Sequence, residues 1–133
     1  MTMPMRMVLA TLVLGWLWVY AVVIMGDFGT ATSYDPPYLP TRCRGYNREQ
    51  FPENGLFAAA SQAVWDNGAA CGRKYQIQCL SSLRHPCKDG TIEVEIVDLC
   101  RNNPCPAMLV LSNIAFEAIS RTPNTKVGIN FAQ

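Results

Sequence analysis

The sequence predicts a small, mainly β domain held together by disulfides, a barrel or a sandwich. Three observations carry this reading. Period-two alternation runs through Lys74–Leu80, Thr91–Val97 and Lys126–Phe131, the pattern of strands with one buried face. The chain has six cysteines, an even count that in an exported protein reads as three disulfides. Strands do not alternate with helices of ordinary length, so a parallel α/β sheet is not expected. The 133 residues suit one domain and are too few for two.

The chain opens on Met1–Arg6, with a single basic residue, followed by the uncharged apolar run Met7–Met25. Residues 1–26 read as a signal peptide cleaved after the small Gly26, and residues 27–133 as the domain. Asp27-Phe28-Gly29 opens a polar segment with no basic stop-transfer cluster, which favours cleavage over an uncleaved anchor. The run is also only as long as the shortest membrane spans. Much of the 50% hydrophobic content therefore belongs to the leader. No stable membrane insertion is expected after cleavage.

Each element follows in order. Gly29–Tyr34 is rich in Thr and Tyr and reads as a strand, ended by the prolines of Asp35–Pro40. Residues 41–55 read as a surface loop, with Arg42, Arg44 and Arg48 and turn signals at Gly45, Pro52 and Asn54-Gly55. Leu56–Ala60 leads to Ser61, an N-cap for a short helical turn that ends at Asn67-Gly68. Lys74–Leu80 places Tyr75, Ile77 and Cys79 on one face. Thr91–Val97 turns Ile92, Val94 and Ile96 inward and Glu93 and Glu95 outward. Ser112 caps a helix carrying Ile114, Phe116, Ala118 and Ile119, which ends at Arg121-Thr-Pro123. Lys126–Phe131 closes the chain as a last strand.

Composition excludes some functions. A net charge of +1 lacks the basic footprint of a nucleic-acid binder. The cysteines form no CxxC pair and His85 is the single histidine, so neither a zinc site nor another metal site is read, and no cofactor motif is present. Sequence leaves the cysteine pairing open. Chain proximity makes Cys100–Cys105 easy, Cys79–Cys87 would close a similar small loop, and Cys43–Cys71 would then close the longest.

Asp98 is the most informative carboxylate. Continuing the parity of Ile92, Val94 and Ile96, it falls on the apolar face at the end of its strand, where desolvation would suit it to acid or base work. The competing reading is a carboxylate that braces the Cys100–Cys105 loop through backbone N–H groups. Glycoside hydrolysis needs two carboxyl groups, and no partner for Asp98 emerges. Glu93 and Glu95 point outward, Asp66 and Asp89 sit in turns, Glu49 and Glu53 on a loop and Glu117 on a helix. Ser61, Ser81 and Ser82 lack a nucleophile-elbow setting, and His85 stands beside no free nucleophile. Tyr34, Tyr38, Tyr46, Phe57 and Trp65 would serve either as a sugar-stacking platform or as packing groups. Arg42, Arg44 and Arg48 read as a solvated face before a recognition patch.

Ordered strings then accumulate: Gly29-Thr-Ala-Thr-Ser-Tyr34, Ala58-Ala-Ala-Ser61 with Trp65-Asp-Asn-Gly68, Cys71-Gly72, the strand ending at Cys79, Val97-Asp98-x-Cys100, and Leu111-Ser112-x-x-Ala-Phe116. Together they resemble the plant natriuretic peptide and blight-associated protein group of the expansin-like, family-45-endoglucanase-like domain proteins. The resemblance spans about residues 28 to 132. It implies a six-stranded double-psi β-barrel with two short helices, secreted to the apoplast, monomeric, and paired Cys43–Cys71, Cys79–Cys87 and Cys100–Cys105. It implies a groove holding Thr32, Tyr34 and Asp98, and a hormone-like segment from about Arg44 through Val64, for which Arg44, Tyr46 and Trp65 are the candidates. It further implies a role in water and solute homeostasis through a cell-surface receptor or, alternatively, attachment to cell-wall polysaccharide. In the related hydrolases a second aspartate lies in an Asp-Leu-Ser motif. The matching string here is Met108-Leu-Val-Leu-Ser112, so Val110 stands in the acidic position. Valine cannot donate a proton, which leaves Asp98 a vestige and the chain a non-enzyme.

Overall fold

The structure, a computed structural model, describes residues 26–80 and 86–133. The expected signal peptide up to Met25, together with Ser81, Ser82 and His85, lies outside the described residues. Six strands are present: β1 (Asp27–Tyr34), β2 (Phe57–Ala60), β3 (Lys74–Leu80), β4 (Thr91–Leu99), β5 (Leu109–Ser112) and β6 (Val127–Ala132). They close into a barrel in the order β1-β5-β2-β4-β3-β6. The pairs β1/β5 and β2/β4 are parallel and the other four antiparallel. Two short helices, α1 (Gln62–Trp65) and α2 (Asn113–Ile119), follow β2 and β5.

Four strands coincide with the alternating or Thr-rich runs. β3 and β6 alternate cleanly, burying Tyr75, Ile77 and Cys79 on one and Val127, Ile129 and Phe131 on the other. β2 and β5 escape that pattern because all four residues of each are buried. Both strands lie inside the barrel wall with material on either side, and a strand covered on two faces carries no polar alternation. Ala58, Ala60, Leu109 and Leu111 point into the core, which Ile77, Val94, Ile96 and Ile129 fill.

α2 packs Ala115, Phe116 and Ile119 inward, while Ile114 and Ala118 face solvent. Ser112 caps it as expected, its hydroxyl accepting from Ala115 N and donating to the Gly55 carbonyl. Ser61 precedes α1, but its hydroxyl turns to Met108 Sδ instead of capping. The disulfides join Cys43 to Cys71, Cys79 to Cys87 and Cys100 to Cys105, leaving no free cysteine.

One expectation is overturned. Asp98 does not continue the inward parity of β4. Ala58 stands opposite Ile96, whereas the next residue, Ala59, stands opposite Asp98, so Val97 is the extra residue of a bulge. A bulge exchanges the faces of all residues beyond it. Ile96 belongs to the core with Ala58, and Asp98 shares the outer face with Ala59.

Candidate functional site

The outer face at this end of the barrel carries a row set by register. Thr32 of β1 stands beside Val110 of β5, Val110 beside Ala59 of β2, and Ala59 beside Asp98 of β4. Tyr34 lies one step along β1 on the same face, since strand residues two apart point the same way. Thr32, Tyr34, Ala59 and Val110 line a cleft of about 180 Å³ with Arg101, and Asp35 lies at its rim. The floor, Ala59 and Val110, is apolar, and the walls are polar.

Asp98 lies beneath this cleft. Its side chain is 2% exposed and its Oδ1 accepts 2.8 Å hydrogen bonds from the backbone N–H groups of Arg42 and Leu99. Oδ2 is buried without a hydrogen bond; Arg101 Nε stands 3.5 Å away as an ion-pair partner. The carboxylate thus pins residues 41–45 to the barrel. It also holds the entry to the Cys100–Cys105 loop considered from sequence, through the Leu99 N–H and the Arg101 side chain.

Tyr34 is the second notable group. Its hydroxyl is buried and has no hydrogen-bond partner. Its ring packs edge-on against Tyr38 at 4.7 Å and Tyr38 edge-on against Phe57 at 4.8 Å, while Phe57 meets Phe51 at 4.8 Å with the rings tilted. Burial first, and then the negative charge of Asp98, hold the phenol well above its ordinary pKa of 10.0, against the opposing pull of Arg101. The hydroxyl therefore keeps its proton at physiological pH and remains a donor.

Arg101 was not singled out from sequence. Its Nη1 donates to the Pro37 carbonyl at 3.0 Å and its Nη2 to the Tyr38 carbonyl at 2.6 Å. Its guanidinium carbon lies 5.9 Å from the centroid of the Tyr34 ring. A signal was available in hindsight: an arginine three residues after a buried aspartate is a ready ion-pair partner.

The other candidates are dispersed. Arg44 lines a separate cavity of about 430 Å³ beside the Cys43–Cys71 bridge, with Glu49, Gln50 and Glu95. Tyr46 is 75% exposed. Trp65 packs from α1 onto the core. Arg42, Arg44 and Arg48 are exposed. Among the described residues no cluster of three potential metal ligands occurs, and no helix is long and apolar enough to cross a membrane.

The closed barrel with its paired parallel strands and the cleft over β1, β5 and β2 define a double-psi barrel protein of the expansin type. The family model described as lytic transglycolase matches residues 57–131. An EG45-like domain containing protein of Citrus jambhiri is 40% identical over 109 residues, which cover 79% of this chain and 79% of that protein. The chain belongs to the EG45-like domain containing proteins. The apo crystal structure of a Clavibacter michiganensis expansin superposes with a TM-score of 0.61 at 24% identity, covering 81% of this chain and 50% of that one. A mutant of the same expansin in complex with cellohexaose gives a TM-score of 0.59 at 23% identity, with the same coverage. The chain thus spans about half the length of the expansins it superposes on.

Proposed function

We propose that the protein is a secreted, monomeric, non-hydrolytic binder of cell-wall polysaccharide, and that the Tyr34–Val110–Ala59 cleft is its ligand site. The observation that carries this reading is the Tyr34 hydroxyl, a buried donor without a partner beside an apolar floor. A buried polar group left unpaired costs roughly 1–3 kcal/mol, and a sugar hydroxyl would satisfy it while the C–H side of the ring covers Ala59 and Val110. The cellohexaose complex of the structurally similar expansin supports the same ligand class. Extracellular location is supported by three disulfides in one domain. The non-hydrolytic part rests on Val110 and on the commitment of Asp98 to backbone amides and Arg101. Retention on cellulose should be measurable for the wild type and weakened in Tyr34→Ala. Equal retention of both proteins, or none above an unrelated control, would remove this reading.

A second reading is the role in water and solute homeostasis that the natriuretic resemblance implies. It is favoured by Tyr46, exposed on the segment next to the Thr41–Gly45 bridge, where a receptor would have access. Swelling of protoplasts treated with purified protein tests it, with Tyr46→Ala expected to lose the response. No swelling over a wide concentration range would end it.

A further inference from the structure

Residues 35–40 continue from the cleft rim at Asp35 and have unusual need of outside support. Pro36, Pro37 and Pro40 have no backbone N–H. Among the described residues, no loop backbone–backbone hydrogen bond involves residues 35–40. Two side chains hold the segment instead. The Tyr38 hydroxyl lies 3.0 Å from both the Tyr34 carbonyl and Asn113 Oδ1. The Arg101 guanidinium takes the Pro37 and Tyr38 carbonyls with two of its nitrogens and faces Asp98 Oδ2 with the third.

We infer that Arg101 is the positioning residue of the cleft: itself a lining residue, it is a clasp that ties the proline-rich segment after Asp35 to the buried Asp98 and so sets the opening in front of Tyr34. This rests on the glycan-binding reading above. Its anchor is rigid, because Cys100 donates its N–H to the Ala60 carbonyl at 2.8 Å and is bridged to Cys105. The planar guanidinium presents donors in fixed directions to two neighbouring carbonyls and a carboxylate at once. An ammonium is a point charge on a flexible stem and cannot hold that fork. With the side chain 44% exposed, the clasp forms the cleft's outer edge and is in reach of a ligand.

The test compares wild type, Arg101→Lys and Arg101→Gln in two measurements. The first is cellohexaose affinity by calorimetry, which should fall about tenfold in both variants because the ligand must then itself order the cleft edge formed by Asp35 and residue 101. The second is NMR of the free proteins. The carbonyl carbons of Pro37 and Tyr38 and the ring signals of Tyr34 and Tyr38 should move in both variants, with barrel signals of β3 and β6 unchanged. Wild-type affinity in Arg101→Lys would show that charge alone suffices and would overturn the clasp. Unmoved carbonyl and ring signals in Arg101→Gln would overturn it as well. If wild type binds no cellohexaose, the glycan reading fails, and the clasp then stands or falls on the NMR signals.

Discussion

Asp98 stands opposite Ala59 in the parallel ladder, although Ile96, two residues earlier, stands opposite the adjacent Ala58. This one-residue slip moves a carboxylate from the barrel interior to the outer face, beneath a cleft. There it accepts two backbone N–H groups and faces one arginine. The consequences can be measured.

Asp98→Ala should destabilise the fold by about 2–4 kcal/mol: two hydrogen bonds to a charged acceptor contribute about 1.5–3 kcal/mol each, and water reaching the two part-buried donors recovers part of that sum. Asp98→Asn keeps an acceptor oxygen and should lose less than half as much. Urea unfolding of the three proteins reads the difference.

Tyr34→Phe should separate binding from stability. The hydroxyl has no partner in the folded protein, so removing it should stabilise the fold by roughly 1–3 kcal/mol, the cost of leaving it unpaired. Affinity for cellohexaose should fall about tenfold or more, as a hydrogen bond made only in the complex is lost.

Stability should decline at alkaline pH. The Tyr34 phenol is held above its ordinary value of 10.0, so the unfolded chain gives up this proton before the folded one does. The folded state then binds more protons than the unfolded state, and stability falls as pH rises past about 10. Tyr38, also raised by burial, acts with the same sign. Urea midpoints between neutral and strongly alkaline pH should drop more steeply for wild type than for Tyr34→Phe.

Neutral glycans should be preferred over uronic-acid polymers. Among the cleft residues, Arg101 is the cation, and three of its five N–H donors face Pro37, Tyr38 and Asp98. Asp35 at the rim and Asp98 below repel a carboxylate. Hexagalacturonate should bind at least about tenfold more weakly than cellohexaose by calorimetry.

On the proposed reading, wild type should release no reducing sugar from a soluble β-glucan, because the resemblance puts Val110, which has no proton to donate, where the related hydrolases carry an aspartate. Val110→Asp should lower the melting temperature, since a buried valine gives way to a charge. Sugar release by wild type that disappears in Asp35→Asn would instead assign catalysis to the cleft rim.

Much of the barrel was legible because its exposed strands obey a simple rule. β3 and β6 show one face to water, and their alternation reports it directly. β2 and β5 are buried on both faces, so Phe57–Ala60 and Leu109–Ser112 show no alternation and were not read as strands. The site was legible through Tyr34 and Asp98 as residue types, but not through their orientation. Parity counting fails at a bulge, which no local pattern in Ile96-Val97-Asp98 announces. Arg101 escaped notice because its partners are backbone carbonyls of a loop distant in sequence, a relation that only the closed barrel creates.

The central claim is that the cleft above Asp98 holds a neutral sugar chain. The most direct measurement is an NMR titration of the domain with cellohexaose, following backbone amides. Saturable shifts centred on Thr32, Tyr34, Ala59, Arg101 and Val110, absent in Tyr34→Ala, are the predicted result. No shifts at millimolar ligand, or shifts confined to the surface around Arg44 and Tyr46, would contradict it.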